Sequence, residues 1–579
     1  MKALIQTNTR KLTIVLVLAG FVLFGQSLND PFHFDDVLII NDSNVANAAN
    51  WQHFLNPLQL RQFTFFTFYL NHRVAGNNPG GYHLVNVAIH IANVVLFFAL
   101  LRSFLDTQFA FIAAFIFLAH PIQTEPVMYV YQRSVLLACF FSLLALVSLQ
   151  RNRMWIAVLM FFFAFESKES SVAVPLLVAI MYLIHSRGAA KECSPGREPG
   201  ATLFRRSAAG LLLLVLALSA TAIGILIYQQ ESTVGIGAAQ KVSPIAYMLT
   251  ETRVVYTYLR LLVFPFPQSL EYDFASLNGP TSKVVVQILG VLLMIAMGFW
   301  LARREHWRVT GLAILAFFVL LAPTSSIIPS TDFAFEHRLY LPMLAFSVFA
   351  GSIIVRLKRP VLVAALLLLI LSITTIHRGT VWASDAALWE DTVRHVPGKA
   401  RAWFNLGGAY IQSNPDRARV AYNRAIELKP DFAQAYYNLG VIDQFKGNYR
   451  QAAAYYDQTV NLDPGYWPAW NNLGNTLMSL GDKEYALKAF EKTLHLNPDH
   501  WPSQYNIAIV HFDAGRFAEA IPRLRTVLDW RPDFRDARYL LAVSLSNTGQ
   551  REEADREWRK LGKNVGQLPL PATIPGVTR

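Results

Sequence analysis

Two adjacent carboxylates, Asp35 and Asp36, stand in the run Phe32-His33-Phe34-Asp35-Asp36, just past the first long apolar stretch. Ionisable groups beside a membrane exit are costly to desolvate and usually functional. An aspartate placed there is able to take a proton from a hydroxyl nucleophile. The plainer role is to cap the next short helix, and position alone favours neither. Basic residues stand in three further clusters: His120-Pro-Ile-Gln-Thr-Glu125 leading to Gln132-Arg133, Glu166-Ser-Lys168-Glu169, and Phe335-Glu336-His337-Arg338-Leu-Tyr340. Arginine gives a phosphate bidentate contacts and lysine gives it a point charge. For any one of them, pairing with a neighbouring glutamate, such as Arg338 with Glu336, is the alternative. Several on one side of the membrane point to an anionic ligand.

Other polar residues sit inside apolar sequence. His83, Asn86, His90 and Asn93 are spaced i, i+3, i+7 and i+10, which is one face of a helix. That stripe must face a bundle interior or a wet cavity, because lipid satisfies no polar group. Asn86 and Asn93 read best as interhelical glue, and His83 and His90 are too far apart to share a metal. The stretch Tyr258-Leu-Arg260-Leu-Leu-Val-Phe-Pro-Phe-Pro267, followed by Glu271-Tyr-Asp273, reads as an interfacial helix. The two cysteines, Cys139 and Cys193, fall in an apolar run and a polar loop, which excludes a disulfide framework and a cysteine metal site.

The elements that carry these residues are membrane helices. Of 579 residues, 53% are hydrophobic and only 16% charged, against about 25% charged in soluble proteins. A single soluble enzyme is excluded. Eleven spans are predicted: 11–28, 84–101, 107–119, 134–150, 154–165, 170–185, 207–228, 283–302, 309–323, 339–355 and 360–376. No small-residue cleavage site follows Gly25, so the first is read as a helix rather than a signal peptide. Lys2, Arg10, Lys11, Arg102, Arg151, Arg153, Arg303, Arg304, Arg308, Arg356, Lys358 and Arg359 occupy alternate short loops. By the positive-inside rule those loops are cytoplasmic. The acidic loops are then outward, and everything after 378 lies outside. The net charge of +12 therefore records topology, and nucleic acid is not an expected partner.

After 378 the pattern repeats every 34 residues. The units read Trp403-Phe-Asn-Leu-Gly407, Tyr436-Tyr-Asn-Leu-Gly440, Trp470-Asn-Asn-Leu-Gly474 and Gln504-Tyr-Asn-Ile-Ala508. The second, third and fourth continue with a turn glycine (Gly447, Gly481, Gly515), a small residue (Ala452, Ala486, Ala520) and a closing proline (Pro464, Pro498, Pro532); the first is one residue short in its turn, and a fifth, over 534–566, carries Gly549 but lacks the closing proline. This is the tetratricopeptide signature of paired helices. The predicted fold is all-α: a polytopic membrane helix bundle over 1–378, a linker helix over 379–398, about five repeats over 399–566, and a flexible tail over 567–579. Such solenoids bind peptides or partner proteins.

Taken in order, the Phe-His-Phe-Asp-Asp loop, Gly81-Tyr-His-Leu-Val-Asn86, His120-Pro-x-x-Thr-Glu125 with Arg133, Ser167-Lys-Glu169, Tyr258-Leu-Arg-Leu-Leu262 with Tyr272-Asp273, and His337-Arg-Leu-Tyr-Leu-Pro342 resemble one family. It is the transmembrane and tetratricopeptide-repeat-containing protein O-mannosyltransferases with their bacterial relatives, which are GT-C type glycosyltransferases. The resemblance implies sugar transfer, mannose being the family's sugar, from a polyprenyl-phosphate donor to Ser/Thr hydroxyls of an extracytoplasmic protein presented by the repeats. It implies Asp35 or Asp36 as the base or as the group that orients the acceptor, and Arg133, Lys168, Arg260 and Arg338 as candidates for the donor phosphate. Glu125 and Asp273 would shape the acceptor or sugar site, which also draws in the nearby His83, His90 and Glu336. Some GT-C enzymes use a divalent metal. A bacterial inner membrane is the expected location, with the N-terminus cytoplasmic and the repeats periplasmic; an endoplasmic reticulum membrane with lumenal repeats is the eukaryotic equivalent. Rival readings are a transferase acting on a lipid or cell-surface glycan, and a non-enzymatic membrane-anchored scaffold. A transporter would show inverted or duplicated halves, and no such symmetry precedes residue 378.

Overall fold

The computed structural model describes residues 2–56, 61–178, 242–277, 279–325 and 332–562. Their regular elements are all helices, with short 3-10 turns and no strand among the described residues. The chain divides into two compact units, 1–396 and 397–579.

In the first unit, six helices are long and apolar enough to cross a membrane: Thr9–Asn29, Pro79–Leu101, Val130–Gln150, Ser282–Ala302, Glu336–Ile354 and Pro360–Ala383. A seventh candidate is the pair Thr107–Ala119 and Pro121–Met128, bent by 53°. The bend follows from Pro121, which cannot donate into the helical ladder. The predicted spans at 154–165 and 309–323 fall on Met154–Ser167 and Arg308–Leu321, of 14 residues each. At 1.5 Å per residue such a helix reaches about 21 Å, short of the ~30 Å hydrocarbon core. The predicted span 207–228 and the end of 170–185, from 179 on, lie outside the described residues, as does the tail 567–579.

Burial sorts the spans. Leu289, Leu293, Val361 and Ile373 are more than half exposed on Ser282–Ala302 and Pro360–Gly379. Rows of that kind are tolerated where lipid covers them. Pro79–Leu101 and Val130–Gln150 lie inside instead, and His83, Asn86, His90 and Asn93 are all fully buried. The stripe faces protein, as its spacing requires. Asn93 donates to the Leu136 carbonyl at 2.9 Å and to the Tyr340 hydroxyl at 3.1 Å, and His90 Nδ1 lies 2.7 Å from that hydroxyl.

The second unit is five helix pairs, from Ala400–Tyr410 with Pro415–Leu428 to Arg535–Asn547 with Arg551–Leu561. The turn glycines Gly447, Gly481, Gly515 and Gly549 take φ between 70° and 84°, a region that side chains disfavour. Ala452, Ala486 and Ala520 are fully buried where paired helices touch. The glycines of the Leu-Gly pairs admit an aromatic ring: a Cβ on Gly474 would sit 2.6 Å from Phe490, and one on Gly407 2.5 Å from Tyr422. Gly474→Val is therefore expected to destabilise the repeats by about 2 kcal/mol through overpacking, read as a lower midpoint in tryptophan-monitored denaturant unfolding.

Candidate active site

The loop that follows the first span is pinned by Asp36. Its side chain is fully buried at the start of the short helix Asp36–Asn41. Oδ2 accepts the His33 N–H at 3.0 Å and Oδ1 accepts the Tyr131 N–H at 2.7 Å. One carboxylate thus joins the loop to the head of the span Val130–Gln150. Burial outweighs these bonds and pushes the Asp36 carboxyl up to about 7. Asp30, at the foot of the same loop, is pushed up by burial to about 6. Asp35 is only half-buried. Its N–H donates to the Tyr129 hydroxyl at 3.1 Å, and that hydroxyl also interacts with its carboxylate. Burial, with Asp35 and Asp36 beside it, lifts the Tyr129 phenol well above its ordinary range, so it stays a proton donor. Phe34, just before the pair, takes φ +42°, a strained conformation that surrounding contacts must hold.

A second group of ionisable residues lies across Tyr131, which interacts with both Asp35 and Arg61. Arg61 forms a bidentate pair with Glu169, Nε to Oε2 at 3.1 Å and Nη2 to Oε1 at 2.6 Å. That pair raises the Arg61 pKa and keeps the guanidinium charged. Lys168 is buried next to it and donates to Gln132 Oε1 at 3.4 Å. Burial, then the Arg61 charge, lowers Lys168 to about 7. Its field also reaches Glu125 and Arg338. Glu125 Oε1 lies 2.5 Å from His337 Nδ1, and Glu125 Oε2 accepts the His337 N–H at 3.2 Å. Glu336 accepts from Gln268 at 2.7 Å, from the Ser269 N–H at 2.9 Å and from the Tyr272 hydroxyl at 2.6 Å.

Lys168, Arg338, Glu125 and Glu336 are thus brought together, while the other predicted residues stand apart. Arg133 is fully buried. Its guanidinium donates to Asn86 Oδ1 and Asn71 Oδ1, each at 2.8 Å, to the Tyr82 carbonyl at 3.1 Å and to the Thr67 carbonyl at 3.4 Å. It also lies over the Phe68 ring at 4.4 Å. Arg260 donates to the carbonyls of Phe266 and Pro267 and so ties off the loop after its own helix. Arg338 donates to the Phe333 and Asp332 carbonyls at 2.7 Å and faces Glu251 at 3.6 Å, so its partner is Glu251 rather than the adjacent Glu336. His83 Nε2 lies 3.4 Å from the Pro31 carbonyl, under the acidic loop. His90 is packed among Phe24, Phe117 and Tyr340. Asp273 is exposed, and its neighbour Tyr272 reaches Glu336 instead. Sequence reasoning missed Arg61, Tyr129, Tyr131 and Glu251. Arg61 alone carried a signal, as a cation in an outward loop. No group of three or more His, Cys, Asp or Glu able to hold a metal ion occurs among the described residues.

These features define an all-helical membrane protein with a tetratricopeptide-repeat solenoid. Tetratricopeptide-repeat families match residues 410–442, 433–466, 467–500 and 511–563. The chain is 24% identical over 456 residues to the protein O-mannosyl-transferase F38B6.6 of Caenorhabditis elegans, covering 73% of this chain and 63% of that one. It is 23% identical over 503 residues to mouse protein O-mannosyl-transferase TMTC3, covering 77% and 54%. With the human TMTC3 it shares 24% identity over 486 residues, covering 75% and 53%. The chain therefore spans between about half and two thirds of the length of these curated relatives. Among solved structures, the tetratricopeptide protein YrrB is 22% identical, covering 30% of this chain and 91% of that one, with a TM-score of 0.29. The relatives and the repeats together fit the transmembrane and tetratricopeptide-repeat family of protein O-mannosyl-transferases.

The two arginines predict different outcomes. Arg133→Met takes the donor from three buried acceptors and one part-buried one, at about 1–3 kcal/mol for each left unsatisfied, and is expected to abolish monodisperse protein in detergent. Arg260→Met frees loop carbonyls near the surface and is expected to leave the thermal midpoint within a few degrees of the parent, as read by differential scanning fluorimetry.

Proposed function

We propose that this chain is a GT-C type membrane glycosyltransferase. It transfers a sugar, mannose by the relatives' names, from a polyprenyl-phosphate donor to Ser/Thr hydroxyls of an extracytoplasmic protein brought in by the repeats. The proposed setting is a bacterial inner membrane, with the N-terminus cytoplasmic and the repeats periplasmic. The observation that carries the reading is the division of labour between adjacent aspartates. Asp36 has both oxygens engaged and no exposed surface, which suits an anchor. Asp35, half-buried beside it, suits a general base.

In the proposed reaction the acceptor oxygen attacks the anomeric carbon and its proton passes to Asp35. The bond from that carbon to the phosphate oxygen breaks, the anomeric configuration inverts, and polyprenyl phosphate leaves. Lys168 is the group best suited to the departing phosphate. An ammonium has three donors, and its hydrogen bond to Gln132 is long. Arg61 and Arg338 keep the surrounding field positive while held by Glu169 and Glu251. Arg133 and Arg260, given to carbonyls and amides, support the scaffold at one remove from the donor. Glu125 and Glu336, fixed by His337 and Tyr272, form a wall for the sugar, and exposed Asp273 is left to the acceptor.

Asp35→Asn is expected to lower transfer from a polyprenyl-phosphate sugar by at least about a hundredfold, the usual worth of a positioned base, with the protein still folded. Lys168→Met is expected to raise the KM for the donor. A lysine with its pKa lowered to about 7 is charged below that pH and neutral above it. The kcat/KM for donor should therefore fall as pH rises through about 7. A profile flat to pH 9 that Lys168→Met leaves unchanged removes the lysine from the mechanism; full activity in Asp35→Asn removes the base.

A further inference from the structure

The segment between the last span and the repeats reads in the sequence as a linker, yet it carries side chains that reach the acidic loop. His33 is fully buried, and its Nδ1 lies 2.7 Å from Asp385 Oδ1. The same residue gives its backbone N–H to Asp36. Trp382, itself buried, packs its ring edge-on against His33 at 5.7 Å and lies 5.9 Å from the ring of Tyr129, the tyrosine whose hydroxyl takes the Asp35 N–H. Trp389 meets Phe34 at 5.7 Å. Three residues within 382–389 therefore contact three of the residues that fix Asp35 and Asp36. The segment is itself held down: Arg378 pairs with Asp391, and Gln26 donates to the Ile376 carbonyl at 3.1 Å. A Cβ on Gly379 would collide with the Gln26 side chain, so the last span leaves the bundle in close contact with the first.

We propose that Asp385 and Trp382 are positioning residues for transfer: through His33 and Tyr129 they set the orientation of the Asp35 carboxylate. The helix Asp385–His395, which leads directly into the repeats, then belongs to the active-site scaffold. This rests on the reading of Asp35 as the base. The chemistry is consistent. Burial opposes charge on His33, but Asp385, which its Nδ1 meets at 2.7 Å, and then Asp36 outweigh it and raise its pKa, so Asp385 favours a proton on the ring. The other ionisable groups around it are Asp30 and His83. Neutralising Asp385 removes the stronger of its two partners.

The test uses the full chain in nanodiscs. Asp385 is about half exposed, so Asp385→Asn is expected to fold, with Asp385→Ser as the second variant if it does not. Asp385→Asn should lower kcat tenfold or more, as small misplacements at a reacting centre do, leave the KM for a polyprenyl-phosphate sugar unchanged, and be largely rescued by Asp385→Glu. In parallel, NMR of 13C-labelled histidine, with His33 assigned by His33→Gln, should show the His33 titration moving to lower pH in Asp385→Asn. An unmoved titration, or an unchanged kcat, overturns the proposal. A parent chain that transfers no sugar defeats the transferase reading instead, and the titration then decides the Asp385–His33 link by itself.

Discussion

The structure around the acidic loop depends on a carboxylate that water does not reach. Asp36 draws two backbone N–H groups, 98 residues apart in the chain at their donors His33 and Tyr131, onto one side chain. Burying an aspartate is costly unless its oxygens are engaged, and here both are. What the bonds fix is the register of a loop against a span. With His33 and Tyr131 tied to Asp36, the neighbouring Asp35 has little choice of position. The left-handed Phe34 and the hydroxyl of Tyr129 complete its setting. The ordinary reading of such a residue, a helix cap, is therefore half right: Asp36 opens a helix, but its side chain serves the loop and the following span.

The same economy governs the second group. Buried ions persist when they are paired and hydrogen-bonded, and nearly every charge here has an opposite or a dipole: Arg61 has Glu169, Arg338 has Glu251 and carbonyls, Glu125 has His337, and Glu336 has Gln268 and Tyr272. Lys168 is the exception, with one long bond to an amide and a pKa depressed by burial and by Arg61. A cation left under-coordinated among paired neighbours is where an anionic ligand gains most.

Much of this is legible from sequence where the signal is periodic. The repeats announce themselves because each unit must present the same small residues and turn glycine, and Gly474 under Phe490 shows why. The polar stripe from His83 to Asn93 is legible for the same reason, since helical spacing puts it on one face. What spacing cannot convey is the partner. Arg133 and Lys168 look alike as lone cations in outward clusters, but Asn71 and Asn86, 62 and 47 residues away, engage the first and leave the second to one distant amide. Arg338 sits beside Glu336 in the chain, yet helix packing delivers Glu251 to it. The linker was the least legible part: Asp385 gains meaning only when a buried histidine 352 residues earlier meets it.

The proposed function gives the acceptor to the repeats and the chemistry to the membrane unit, and its central claim is that the membrane unit moves a sugar from lipid to protein. The most direct measurement is to incubate the purified full chain with polyprenyl-phosphate carrying radiolabelled mannose and a periplasmic extract, then follow the label. The account predicts alkali-labile label on Ser or Thr of protein, lost with Asp35→Asn. Label that stays on the lipid, or appears only in glycan or lipid products, would contradict it.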